Sequence, residues 1–284
     1  MNERDEAIIM EVRGRLRGFG EVLTSAATEA GKNITSAAAG AGRSGLDASG
    51  EWVRRVLGAL PAPAAPAHEQ WEFSLGALVC SHPRVPGVTA KALRSLDGIG
   101  ALRFGPESVG FDGEDIPWEK VVRLQLHDAF SAMTTEALDA EIDRIRGMLP
   151  PIPGRKWAVT KVVEGLATVA LAALEQASDQ RLESMNVACE ITYRGMLGRE
   201  KALRANLFST ALLAQQMDVA YSLVATAQAK GVPVLSADPG SLDVKTVDRI
   251  RALRQRTDAV VGELQTEQGD DTAENGAAAT PASG

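Results

Sequence analysis

RFGPESVGFDGEDIPWEKVVRLQL, residues 103–126, alternates short apolar runs with tight-turn residues. Strands of four to six residues separated by such turns predict an antiparallel β unit. The strands are expected at 101–104, 108–111 and 121–126, with GPE and DGED as the turns between them. Asp112-Gly113 is a strong short-range hairpin signal, because both central residues of a type I′ turn need positive φ. Upstream, 71–80 reads as a further strand and SHPRVPG as a turn. Downstream, Leu138, Ile142, Ile145 and Leu149 share one face of a helix over 133–149, which Pro150, Pro151 and Pro153 end.

Outward from this unit the period becomes helical. On the N-terminal side PAPAAPA (61–67) reads as an extended linker. It separates the β unit from an amphipathic helical arm over 1–60. Ile9, Val12, Leu16, Phe19 and Leu23 step along one stripe of the arm, and Trp52 lies beside Arg54 and Arg55 in its last part. On the C-terminal side, 151–264 is mainly helical. Within it, NVACEITYRG (186–195) has the alternation of a half-buried strand, 199–230 is helical, and GVPVLSADPG is a loop. The Gly-, Ala- and acid-rich tail, 265–284, is expected to be disordered. The class is therefore α+β and helix-dominated: an arm (1–60), a linker (61–67), a β unit with its closing helix (68–150), a helical region and a tail.

Composition narrows the function. Aromatic residues are only 4% of the chain while hydrophobic residues are 45%, so the core rests on Ala, Val, Leu and Ile. A net charge of −7 argues against general nucleic-acid binding, which needs Lys and Arg to neutralise phosphates. Cys80 and Cys189 are too few for a disulfide framework or a zinc site. The N-terminus has acidic residues at once and no apolar signal-peptide region. The most apolar stretch, 157–174, carries Lys161 and Glu164 and reads as a buried helix. A cytoplasmic location follows as the expectation, with peripheral attachment at the inner face of the cell membrane.

The central segment resembles the strand–turn–strand core of bacterial PH-like (GRAM-like) domains. Phe104, Gly110, Phe111, Asp112, Gly113, Ile116, Pro117, Trp118 and Val122 carry the likeness, and the helix over 133–149 matches the helix that closes such a barrel. The resemblance covers at most residues 71–149. It implies binding of lipid head groups or proteins rather than catalysis. Arg84, Lys91, Arg94 and Arg103 are then the candidate head-group contacts, against a background of Glu107, Asp112, Glu114, Asp115 and Glu119. A family member needs more strands than precede the helix, so either the barrel is incomplete or 186–195 completes it from beyond a helical insertion.

Other motifs weigh less. GAGRSG (40–45) fits a dinucleotide fingerprint only in spacing, because a helical stretch rather than a strand precedes it. His68, His82 and His127 are scattered. His127-Asp128 has the composition of a base and its orienter, and equally that of a solvated strand end. No catalytic residue, metal ligand or cofactor is expected. The arm residues Ile9, Val12, Leu16, Phe19, Leu23, Trp52, Arg54 and Arg55 suit a membrane or partner contact. Eight acidic residues balance eight basic ones over 1–60, which weakens attraction to anionic lipid. The leading expectation is a non-enzymatic adaptor on a membrane surface or protein complex. The alternatives are a homo-oligomeric helical scaffold and an enzyme of unrecognised class.

Overall fold

The Asp112-Gly113 turn forms where the sequence places it. Asp112 has φ 54° and Gly113 φ 79°, and β3 (Ser108–Phe111) turns there into β4 (Glu114–Pro117). The structure, a computed structural model, describes residues 50–82, 100–148, 155–179, 185–236 and 246–277. The chain divides into two compact units, of which Met1–Arg43 lies outside these residues and Ser44–Gly284 contains them.

Among the described residues there are two four-stranded sheets. The first is an antiparallel meander of β1 (Trp71–Ser74), β2 (Ala101–Phe104), β3 and β4. Its inward residues, Phe104, Val109, Phe111 and Ile116, are buried. Trp118 closes one corner, its indole N–H donating to the Gly105 carbonyl at 2.8 Å. The second sheet, which includes β7 (Glu200–Arg204), has the order β7-β6-β5-β8. In it β5 (Val121–Asp128) pairs antiparallel with β6 (Asn186–Arg194) and parallel with β8 (Val234–Ser236). The strand read at 186–195 is therefore present and lies against β5, across the helices between them.

Helices form the rest: α1 (Glu51–Gly58), α2 (Leu75–Cys80), α3 (Ala129–Ala132), α4 (Thr135–Met148), α5 (Arg155–Asp179), α6 (Leu207–Gln215), α7 (Met217–Ala229) and α8 (Thr246–Ala277). The helix-dominated α+β class stands. The core is centred on α5, whose Ala and Val faces let α2, α6 and α8 approach closely. A Cβ on Gly165 would lie only 3.4 Å from Leu78. Among the described residues α5 is the one helix long and apolar enough to cross a membrane, and 83% of its apolar window is buried in the fold. Its buried Glu164 is paired with Lys161 Nζ at 2.6 Å. The next helix, α6, is apolar on all sides and buried over Leu207–Ala214, the pattern of a helix enclosed by other elements.

Several readings change. Only Trp71–Ser74 of the 71–80 stretch is a strand, because Ser74 Oγ accepts the Ala77 N–H at 2.9 Å and caps a helix. Within 199–230, Glu200–Arg204 is a strand, β7, paired with β6 before Asn206 caps α6. The loop at 231–240 contains β8. The linker, 61–67, is neither helix nor strand and is docked on the fold. Ser222 Oγ donates to the Ala64 carbonyl at 2.5 Å, and Ala67 N–H donates to Thr226 Oγ1 at 2.8 Å, which strap 61–67 along α7. At the other end, α8 continues through Ala277 into the segment read as a tail.

Candidate functional site

The tip of the β6–β7 hairpin is the most exposed apolar feature of the described surface. Tyr193 and Lys201, then Arg194 and Glu200, are the last register pairs before the turn. Gly195 N–H donates to the Arg199 carbonyl at 2.9 Å and Gly198 N–H to the Gly195 carbonyl at 3.0 Å, closing a tight loop. Gly198 has φ 71°, a conformation that disfavours any side chain with a Cβ. The loop pushes Met196 and Leu197 outward, at 102% and 86% exposure. Isolated exposed apolar residues are ordinary, but two adjacent ones projecting from a rigid turn form a specific feature.

Charges surround this tip. Arg194, Arg199 and Lys201 are exposed beside it. The one carboxylate of the turn, Glu200, faces Arg123 of β5 at 3.6 Å. Counting Arg123 and also Glu114, which Tyr193 Oη meets at 2.6 Å, four cations stand against two anions around the tip, although the whole chain carries −7. The hairpin is tied to the first sheet near its turn, since Tyr193 Oη donates to Glu114 Oε1 at 2.6 Å. That bond, with some desolvation and the charge of Glu114, holds the phenol up at about 12. The tyrosine therefore stays protonated and donating across the neutral range.

A second polar cluster joins the first sheet to the helices. Asp112 Oδ1 accepts from Gly100 N–H at 2.8 Å and from Asn206 Nδ2 at 2.9 Å, and its Oδ2 meets Arg144 at 3.2 Å. Asn206 Nδ2 also reaches Glu141 Oε1 at 3.2 Å, while its Oδ1 caps α6 through Ser209 N–H. Burial pushes both carboxyls, Asp112 and Glu141, above their ordinary range. Both oxygens of Asp112 and the Oε1 of Glu141 meet donors of the fold, so this is a structural junction. No group of three metal-ligating side chains occurs among the described residues.

His127 Nε2 is buried without a hydrogen-bond partner. Its Nε2 lies 3.8 Å from Glu190 Oε2, which is bound more closely by Arg204 Nε at 2.7 Å. Asp128 is spent on structure, capping α3 through Ser131 N–H and accepting from Met185 N–H. Burial raises the thiol of the neighbouring Cys189 to about 11, so it is not a nucleophile at neutral pH.

The residues singled out in the sequence separate into three groups. Ile9, Val12, Leu16, Phe19, Leu23, Arg84, Lys91 and Arg94 lie outside the described residues, as does GAGRSG. Trp52 is a correction: it is 8% exposed, stands edge-on to His82 with ring centroids 5.1 Å apart, and packs over Gly165, so it belongs to the core. Arg54 and Arg55 are exposed, with Arg55 bound to Glu51 at 3.0 Å one helical turn away. Arg103 is held by carboxylates on both sides, Glu72 at 2.8 Å and Asp115 at 2.5 Å, so an anionic head group would have to displace them. A helical reading of the run from 199 hides the Met196-Leu197 tip, because Glu200–Arg204 is a strand. Gly195 and Gly198 flanking two apolar residues were the available signal. Comparison with known proteins yields no matching family model, no matching curated protein and no matching solved structure.

Proposed function

We propose that the chain is a non-enzymatic adaptor that attaches peripherally to an anionic membrane surface through the β6–β7 hairpin tip. The observation that carries this reading is the pair Met196 and Leu197, 102% and 86% exposed on a glycine-flanked turn among Arg194, Arg199 and Lys201. Each side chain gains about 1.5–3 kcal/mol on leaving water for the acyl boundary. Each nearby cation adds roughly 1 kcal/mol at an anionic leaflet. Two weak contributions of different kind suit reversible attachment, as with a lipid anchor paired with a basic patch. The ligand class agrees with what the PH-like resemblance implies, and the place of action is the inner face of the cell membrane.

The test is sedimentation of the full chain with vesicles of phosphatidylcholine alone and of phosphatidylcholine with phosphatidylserine. The wild type is expected to pellet with the anionic vesicles and to be released by salt, since exposed charges are screened beyond about 8–10 Å at physiological ionic strength. The double variant Met196→Asp/Leu197→Asp is expected to stay in the supernatant while its circular dichroism spectrum is unchanged. Both residues sit in solvent, so the fold has no contact to lose. Equal pelleting of the wild type and this variant would overturn the hairpin as the attachment site. Binding that is insensitive to phosphatidylserine would overturn the role of the cations.

A further inference from the structure

Among the described methionines, Met196 alone stands wholly in solvent. Its exposure is 102%, against 0% for Met133, 7% for Met185 and 44% for Met148, while Met217 is half-buried. The turn gives it no shelter. Backbone bonds from Gly195 and Gly198 close the loop, and Leu197 beside it points outward as well. Its thioether is the group on the tip that a mild two-electron oxidant converts, and the ease of that conversion follows exposure. The guanidinium, ammonium and aliphatic groups of Arg194, Leu197, Arg199 and Lys201 offer such an oxidant no reactive lone pair. The thiol nearest along the chain, Cys189, is buried, and burial holds its proton on. Cys80, the exposed cysteine, belongs to α2 rather than to the hairpin.

We propose that Met196 is a reversible oxidation site through which a peroxide releases the chain from the membrane, a proposal that rests on the hairpin tip being the attachment surface. In the step, a lone pair of Met196 Sδ attacks one oxygen of the peroxide. The S–O bond forms as the O–O bond breaks, and the departing hydroxide takes the proton of the transferred hydroxyl and leaves as water. The sulfur is oxidised by two electrons and the peroxide is reduced by two. The product, a sulfoxide, puts a polar hydrogen-bond acceptor where an apolar group stood. In water this costs the fold nothing, since Met196 has no packing to lose. At the acyl boundary it cancels the transfer gain of one of the two apolar side chains on the tip, which lowers binding about tenfold or more. Arg194, Arg199 and Lys201 keep their charge, so the residual binding keeps its dependence on salt. Reduction by a dithiol, which becomes a disulfide as the sulfoxide oxygen leaves in water, restores the thioether.

Hydrogen peroxide is the probe. The full chain is treated, its methionines are followed by mass spectrometry of peptides, and treated and untreated chains are sedimented with vesicles of phosphatidylcholine and phosphatidylserine. Met196 is expected to be converted ahead of Met133, Met148, Met185 and Met217. Once it is converted, the wild type is expected to bind about tenfold or more weakly than before treatment, with its circular dichroism spectrum unchanged. Methionine sulfoxide reductases for both epimers, with dithiothreitol, are expected to bring the binding back. Met196→Leu is compared only with itself before and after treatment, and its binding is expected not to respond. That assigns the release to this sulfur rather than to Cys80 or another methionine. Failure of the untreated wild type to pellet, or equal pelleting of the wild type and Met196→Asp/Leu197→Asp, overturns the attachment surface and the oxidation site together. Where the wild type pellets and that variant does not, three results overturn the oxidation site alone. They are slower conversion of Met196 than of the other described methionines, unchanged binding after its conversion, and an equal loss of binding by treated Met196→Leu.

Discussion

Gly110→Ala is expected to be the most damaging single methyl group that can be added to the first sheet. Gly110 sits in the middle of β3, opposite Arg103 on one side and Asp115 on the other. A Cβ there would stand 1.9 Å from the Glu114 carbonyl oxygen and 2.8 Å from its carbon. Both are backbone atoms, so no side-chain rotation relieves the overlap. The β3–β4 ladder would have to open, and with it the anchors β4 carries, Glu114 to Tyr193 and Asp115 to Arg103. Overpacking of a well-fitted site costs about 1–3 kcal/mol, and a clash with fixed backbone belongs at or above the top of that range. A loss of about 3 kcal/mol lowers the melting temperature by roughly 6–12 °C in a domain of this size. Thermal melts of Gly110→Ala and Gly147→Ala decide it. Nothing lies within 4 Å of a Cβ at Gly147, in α4, so that variant is expected to melt at or above the wild-type temperature. Equal melting of both variants would show that the β3–β4 turn accommodates the methyl.

Which parts of this architecture are legible in the sequence follows from how local their causes are. The turn at Asp112-Gly113 is set by two residues that tolerate positive φ, so it can be read directly. Trp118 as a core residue and the strand at 186–194 follow from alternation and size in the same way. The strand 71–80 fails because one hydroxyl, that of Ser74, converts the second half into a capped helix. The strand β7 fails for a different reason. Glu200, Lys201 and Ala202 are all exposed on a sheet edge, so no apolar alternation marks them, and only pairing with β6 makes them a strand. The docking of 61–67 on α7 depends on two hydroxyls about 160 residues away along the chain, a separation no window of sequence spans. The candidate sites share that property. The hairpin tip is visible only once β7 is known to be a strand. The packing of α8 on α5 likewise joins distant segments, and no local pattern marks it. Arg103, by contrast, was visible as a basic residue, while its commitment to Glu72 depends on strand pairing between β1 and β2.

The junction at Asn206 gives the other large effect, and it isolates charge from shape. Asn206→Asp keeps the size of the side chain and keeps a good helix cap, since Asn and Asp are about equally effective at that position. It removes the two Nδ2 hydrogen bonds to Asp112 and Glu141 and places a third carboxylate between two that burial already pushes upward. Hydrogen bonds to charged groups are worth about 1.5–3 kcal/mol each, and uncompensated charge in a partly buried site costs a similar amount. Arg144, at 3.2 Å from Asp112 and 3.9 Å from Glu141, can offset only part of this. A loss of about 3–5 kcal/mol in urea unfolding near pH 7 is therefore expected. The sign of its pH dependence follows from the raised carboxyls. A group whose folded-state pKa exceeds its unfolded value favours the folded state fully below the unfolded pKa, and that contribution is lost as pH rises through the folded value. The deficit of Asn206→Asp should thus shrink as pH falls from neutral toward the ordinary carboxylate range, around 4 to 5. Adding Glu141→Gln to Asn206→Asp removes one of the three charges and restores an amide donor in the cluster, so it is expected to recover part of the loss at neutral pH. Unfolding curves of the single and double variants at both pH values decide the matter. A deficit that is constant with pH, and unrelieved by Glu141→Gln, would locate the cost in packing of the α6 cap rather than in the repulsion of its carboxylates.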